Sequence, residues 1–413
     1  MTACPDGRFF NHFTEGETMD AFKKLTVLSL EQATVLPYLT YRLAQDGMTV
    51  IRLEHPVYGD PNRMIGDNVL GEDRMNAYFL CINAGKKALT LNLAETEGQG
   101  LLRSLIEALD VDIFATNQLP RNYQKLGIDY DTLKTVKPDL IWLGVTGFGP
   151  DSNEGAYDPI LQARSGLMEL TGEAGEDPQV LGIPLPDMGT SEHAYGLLMK
   201  ALYARQLTGE GACIHLSMFE SSVSWLTVPI TLTGNFGKTI SRRGNTHEFF
   251  CPVSVYPTSN GFVYLAVGND RQWKAMVSQD IFSKLDKPEY EKNAGRIADV
   301  DQLNDAISEV TRQHTSEMLI ELFTSITVPI SKIKTIAEVI EDPLVNGKLL
   351  KAKDPVTGRE ILLAPPPHQT DFVAQQNRQL SFPPRFGQDN ADIYGRVGHD
   401  ADALEKMREN GII

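Results

Sequence analysis

The densest grouping of chemically useful side chains runs from Gly182 to Ser217, GIPLPDMGTSEHAYGLLMKALYARQLTGEGACIHLS. Within it Ala194, Leu197, Leu198, Ala201 and Leu202 recur at helical spacing, which predicts a helix that starts near Thr190 or Ser191 and stops at Gly209 and Gly211. Asp187, in Pro186-Asp187-Met188-Gly189, then stands just ahead of a helix N-terminus. Free N–H groups and the helix dipole at that position predict a carboxylate that is ionised at neutral pH and able to act as a nucleophile. The same four residues also read as a turn whose aspartate caps backbone N–H groups, and spacing alone leaves both readings open. A rival lies close by: Gly189-x-Ser191-x-His193 resembles a hydrolase nucleophile turn, but that turn requires glycine where His193 stands, which makes Ser191 a better helix cap than nucleophile.

Other chemistries find little support. There is no P-loop, no H-E-x-x-H and no G-x-G-x-x-G after a strand, so a nicotinamide enzyme is disfavoured. The cysteines at 4, 81, 213 and 251 are scattered without a C-x-x-C, so reduced thiols are expected and neither a metal site nor a disulfide framework. A net charge of −16 argues against a sequence-independent grip on nucleic acid, which needs a basic face. Small anions remain open to local cations, and two groups qualify: Lys86 with Lys87, and Arg121 with Lys125. Solvated surface lysines are the alternative for both. Residues 1–20 lack the charged start and apolar block of a secretory signal, and no stretch reaches the eighteen or so apolar residues of a membrane span, so a cytoplasmic protein is expected.

These residues need elements to hold them. A strand at Leu25–Leu30, a helix over Thr34–Gln45 and a strand at Met48–Leu53 form one βαβ unit. A helix at Leu101–Leu109 and strands at Val111–Thr116 and Leu140–Gly149 continue the rhythm, which predicts an α/β fold with a Rossmann-like parallel sheet. Ligands of such sheets bind beyond the carboxyl ends of the strands, so the loops after Glu54, Thr116, Thr146 and Leu185 become candidates. After Trp225 the texture shifts to a hairpin turning at Thr258–Gly261. The expected organisation is an N-terminal extension (1–20), a large α/β domain (21–224), a small α+β domain (225–330) and a return segment (331–413) that completes the large one.

An ordered series of motifs from about Phe22 to the C-terminus resembles the class III CoA-transferases, the formyl-CoA and carnitine CoA-transferase type. The series comprises LAQDGMTVIRLEHPVYGDPNR (43–63), NAGKKALTLNL (83–93), NQLPRNYQKLGIDYDTL (117–133), GVTGFGPD (144–151), YDPILQARSGLMELTG (157–172) and the closing GHDADALEKMRENGII. Asp187 lies eighteen residues before Arg205, the spacing of the family's catalytic aspartate. The resemblance implies Asp187 as nucleophile, with Thr34, His55, Asn117 and Lys125, joined by Lys86 and Lys87, lining a coenzyme A site. It also implies oxyanion donors among the N–H groups near Gly189, Gly244 and Gly268, an interlocked dimer, and no permanently bound cofactor, a CoA thioester being substrate. The chain departs from the family pattern at Val35-Leu36-Pro37, which keeps only the proline of Ala-Gly-Pro. His55 and Lys125 replace arginines, so a planar bidentate fork is lost.

An aspartate suits such a transfer, because its mixed anhydride preserves the activation of a thioester that a serine ester would lose. Within the family the chain most resembles members that use succinyl-CoA as donor and a substituted succinate such as benzylsuccinate as acceptor in anaerobic aromatic degradation, which implies a homodimer or a heteromer with a homologous subunit. An acyl-CoA racemase of the same fold and a non-catalytic partner subunit are the alternatives.

Overall fold

The computed structural model describes residues 20–413; the expected extension over 1–20, Asp20 apart, and Cys4 lie outside them. The described chain divides into two compact units. The first runs up to Ser165, re-enters over Leu181–Thr227 and returns once more over Gly347–Ile413, while the second comprises Gly166–Val180 and Val228–Asn346.

The first unit is built on six parallel strands: β1 (Thr26–Leu30), β2 (Thr49–Glu54), β3 (Lys87–Thr90), β4 (Ile113–Thr116), β5 (Ile141–Thr146) and β6 (Ala212–Ser217), in the order β3-β2-β1-β4-β5-β6. This is the expected Rossmann-like arrangement. Strand order reverses between β1 and β4, so the crevice beyond Leu30 and Thr116, paired in register, is where a ligand of such a sheet enters.

Alternation along the strands decides what each face buries. Leu28, Leu30, Ile51, Leu53 and Phe114 point into a core shared with Leu101, Leu102, Leu105 and Ile106 of α2 (Thr96–Ala108). Val27, Val50, Ile113 and Ala115 point the other way, onto α1 (Val35–Gln45) and the stripe Ala194, Leu198, Ala201. The period of two in the strands and of about 3.6 in the helices thus meet on both faces of one sheet. The C-terminal segment closes the open edge at β3: Asp389 and Asn390 accept from the N–H groups of Ala88 and Thr90 at 2.8 and 3.0 Å.

Beyond the carboxyl ends of β1 and β2 lies a buried ionic cluster. Arg52 meets Asp60 at 2.7 Å, Arg63 grips Glu54 through two 2.7 Å bonds, and Lys86 meets Glu31 at 3.0 Å. Burial alone would raise the pKa of Glu31, but Lys86 and Arg52 hold it below the ordinary carboxylate value. Asp60 also accepts the N–H of Ala33 at 3.0 Å, holding that residue at φ 62, a left-handed conformation rare for alanine. The cluster therefore fixes the bend between β1 and α1.

The second unit carries an antiparallel sheet of β7 (Val253–Thr258), β8 (Gly261–Ala266) and β9 (Ile330–Lys332) around a core that includes Tyr256, Trp273, Phe282 and Phe323. The expected hairpin is present, with Thr258 opposite Gly261. Among the described residues no helix is long and apolar enough to cross a membrane.

Candidate active site around Asp187

Two further helices of the first unit shape the site, α3 (Asp158–Arg164) and α4 (Leu185–Thr208). The latter begins five residues earlier than the apolar spacing predicted, so Asp187 lies in its first turn rather than ahead of it. Pro186 suits that turn, where no backbone N–H partner is required of it. The N–H of Asp187 finds an acceptor outside the helix, the carboxylate of Asp158 at 3.2 Å.

The carboxylate of Asp187 itself accepts no hydrogen bond among the described residues, which excludes the turn-capping reading. Its pKa is raised from 3.8 to about 7, by burial first and by the nearby charge of Asp158 second. The helix end, expected to keep it ionised, is outweighed by burial in magnitude. A helix terminus contributes about 0.3–2 kcal/mol, whereas a shift of that size corresponds to about 4 kcal/mol. Near neutrality the group is poised between a protonated acid and an unpartnered carboxylate.

The Ser191 alternative fails on geometry. Ser191 is buried inside α4, not at its cap, and its hydroxyl donates to the carbonyls of Val35 and Asp187, the latter at 2.8 Å. His193 has both nitrogens engaged: Nδ1 meets the Ser221 hydroxyl at 2.7 Å, and Nε2 accepts from the Trp225 indole at 3.3 Å. Trp225 Nε1 is a donor only, so the proton of a neutral His193 sits on Nδ1 and points at Ser221, which is therefore not activated as a nucleophile. The same occupancy leaves His193 without a free nitrogen for the proton exchange a racemase demands.

Trp225 also packs on the first turn of α4. A methyl group on Gly189 would stand 2.2 Å from Trp225 Cη2 and 2.3 Å from Cζ2. Gly189→Ala is expected to lower stability by about 1–3 kcal/mol through overpacking, more than the gain of up to about 1 kcal/mol from alanine's helix propensity. A thermal midpoint equal to or above that of the parent would show that the indole moves aside freely.

The CoA-lining candidates separate into distinct groups. Thr34, His55 and Asn117 all follow strands at the carboxyl edge, beyond β1, β2 and β4. Thr34 is buried, with its hydroxyl 3.0 Å from the Tyr78 hydroxyl. His55 accepts from the N–H of Val57 at 3.1 Å through Nδ1, and burial lowers its pKa, so it offers a neutral Nε2–H donor rather than a cation. Asn117 grips the Gln32 backbone from both ends of its amide, at 3.2 and 2.8 Å, and so braces the β1–α1 bend. Lys125, exposed in the short helix Tyr123–Leu126, has no ion pair among the described residues.

Two lysines do not join them. Lys86 is buried and spends its ammonium on Glu31, the Pro37 carbonyl and Asn83, so it is a structural cation rather than a phosphate ligand. Lys87 opens β3, at the amino end of the strand, and pairs with Asp392 at 3.3 Å. The oxyanion expectations also need correction. The N–H groups of Gly244 and Gly268 already donate to Gly172 and Gln272, each at 2.8 Å, and Gly189 lies past the free N–H groups of its helix's first turn. Asp158 escaped sequence reasoning; its signal was an acidic residue before proline inside a quoted motif, YDPILQA.

A sequence profile described as CoA-transferase family III matches residues 22–390. The chain belongs to that family. It is 27% identical over 397 residues to the succinyl-CoA:glutarate CoA-transferase of Homo sapiens, covering 94% of this chain and 88% of the relative. To the succinyl-CoA:mesaconate CoA-transferase of Haloarcula marismortui it is 31% identical over 351 residues, covering 81% and 86%. Among solved structures, a CAIB/BAIF family protein from Brucella suis superposes with a TM-score of 0.78 at 28% identity, over 90% of this chain and 98% of the other. As a class III CoA-transferase, the chain is an enzyme that moves CoA between acyl thioesters and carboxylic acids.

Proposed function

We propose that Asp187 is the covalent carrier of this transfer, with succinyl-CoA as donor and a dicarboxylic acid as acceptor. One Asp187 oxygen attacks the thioester carbonyl, the C–S bond breaks, and CoA leaves as thiolate from a mixed anhydride. The thiolate attacks the aspartyl carbonyl, expelling succinate and leaving an aspartyl-CoA thioester. The acceptor carboxylate displaces the thiolate to form a second anhydride. Return of the thiolate onto the acceptor's acyl carbon frees the new thioester and restores Asp187. The observation that carries this reading is an unpartnered, half-buried carboxylate with a near-neutral pKa at a helix N-terminus. Burial that raises that pKa also keeps water from the anhydride.

The names of the glutarate and mesaconate relatives support a four- or five-carbon dicarboxylate as acceptor, and benzylsuccinate is the substituted succinate to try first. Thr34, His55, Asn117 and Lys125 would hold the CoA, with Asn117 acting through the bend it braces. An interlocked dimer, or a heteromer with a homologous subunit, would cover apolar side chains that one chain leaves open, among them Tyr203, Leu207 and Phe236, each about 70% exposed.

Trapping tests the carrier directly. Incubation with succinyl-CoA and hydroxylamine, followed by digestion and mass spectrometry, is expected to yield a hydroxamate on the peptide containing Asp187. Label on Ser191, or none on Asp187 in an enzyme that is turning over, would refute the assignment.

A further inference from the structure

Behind Asp187 stands a latch that the transfer chemistry alone does not require. Asp158 and Gln162 lie one helical turn apart on α3, so their side chains share a face. Gln162 Nε2 donates to Asp158 Oδ1 at 2.5 Å, and Gln162 Oε1 accepts the Leu181 N–H at 2.9 Å. The other oxygen of Asp158 accepts the Asp187 N–H. Leu181 is where the chain re-enters the first unit after leaving it at Ser165. One turn of α3 thus pins both ends of the segment from Leu181 to Asp187. Gln162 and Asp158 are 1% and 7% exposed, so neither bond competes freely with water.

A neutral acceptor would satisfy the Asp187 N–H equally well. A carboxylate there makes ionisation of Asp187 harder, which is a poor choice for stability and a useful one for a nucleophile that must be basic. On α4 and the elements packed against it, Glu192 pairs with Arg42 at 2.8 Å and accepts from Tyr38 at 3.4 Å, His193 is held by Ser221 and Trp225, and Arg164 of α3 pairs with Glu154 at 2.8 Å.

We propose that Asp158 is a positioning residue for the transfer, which, held by Gln162, fixes the backbone of Asp187 and sets a second carboxyl group beside the reacting one. The proposal rests on Asp187 being the nucleophile, and the test separates the two ideas. Exchange of labelled succinate into succinyl-CoA is followed in the full chain for Asp158→Ala, Asp158→Asn and Asp187→Ala, with thermal melting as a check on folding. Asp158→Ala is expected to lower kcat on the order of 10²-fold, with KM for succinyl-CoA nearly unchanged, because the reacting oxygen is misplaced while binding is untouched. Asp158→Asn restores an acceptor for the Asp187 N–H and is expected to recover part of kcat. It should also move the acidic limb of the kcat/KM profile to lower pH by about one unit or more, since the charge is gone. A merely structural role would not move that limb. If both Asp158 variants keep the parental kcat and limb while Asp187→Ala is inactive, the positioning role is overturned. If Asp187→Ala itself exchanges label, the nucleophile assignment is what fails.

Discussion

Asp187→Asn is expected to abolish CoA exchange, by roughly 10⁴-fold or more, while making the folded protein more stable above neutral pH. The first effect follows because an amide cannot attack a thioester and be regenerated as a carboxylate. The second follows from where the carboxyl titrates. Its pKa is 3.8 as an ordinary side chain and about 7 in the fold, so the folded protein binds more protons than the unfolded chain between those values. Stability contributed by this group is therefore present below about pH 4 and is lost as pH rises to 7. The asparagine variant escapes that loss. Its advantage should open above pH 4, level off above pH 7 and reach about 2–4 kcal/mol. Thermal midpoints of both proteins at pH 5 and pH 8 measure it, together with isotope exchange in the complete assembly, including any second subunit. An advantage of the same size at both pH values would show that Asp187 ionises in the fold as easily as in water.

The second large effect concerns the buried charges. Arg52 is fully buried, with Asp60 at 2.7 Å, Glu54 at 3.4 Å and Glu31 at 3.9 Å. Replacing it with methionine leaves three acids to share Arg63 and Lys86, and removal of one partner from such a cluster typically costs about 3–5 kcal/mol. Loss of an exposed pair such as Arg396 with Asp392, both more than half exposed, costs at most about 1 kcal/mol. Arg52→Met should thus lower the thermal midpoint far more than Arg396→Ala. A functional mark is also expected, because Asp60 is the residue that holds Ala33 in its left-handed bend. With Asp60 released, the approach to α1 loosens and KM for the acyl-CoA should rise. Equal melting of the two variants would mean that water enters the cluster and solvates it.

Gly189→Ala and the Asp158 variants probe the same first turn of α4 from opposite sides, one through the indole of Trp225 and the other through a hydrogen bond. Because these residues share neighbours, their effects should not add.

Much of this protein is legible in the order of its residues. Hydrophobic periodicity alone places β1, β2, β4 and β5 with α1 and α2, since a strand buried on both faces and an amphipathic helix each impose their own repeat. The family resemblance points to Asp187 and to Thr34, His55 and Asn117, which the fold puts at the carboxyl edge of the sheet. The start of α4 was not legible, because apolar spacing records only the buried stripe, and the turn bearing Pro186 and Asp187 adds to that stripe only at its edge. The state of Asp187 was equally hidden: its pKa depends on burial and on Asp158, twenty-nine residues away along the chain and adjacent only in the fold. The two lysines show the same limit. As a dipeptide, Lys86-Lys87 reads as a phosphate patch, yet successive residues entering a strand diverge, so one ammonium is spent inside the ionic cluster and the other pairs with Asp392. Residue type and spacing specify which groups are available; which of them are left without partners is settled by the contacts that only the folded chain brings together.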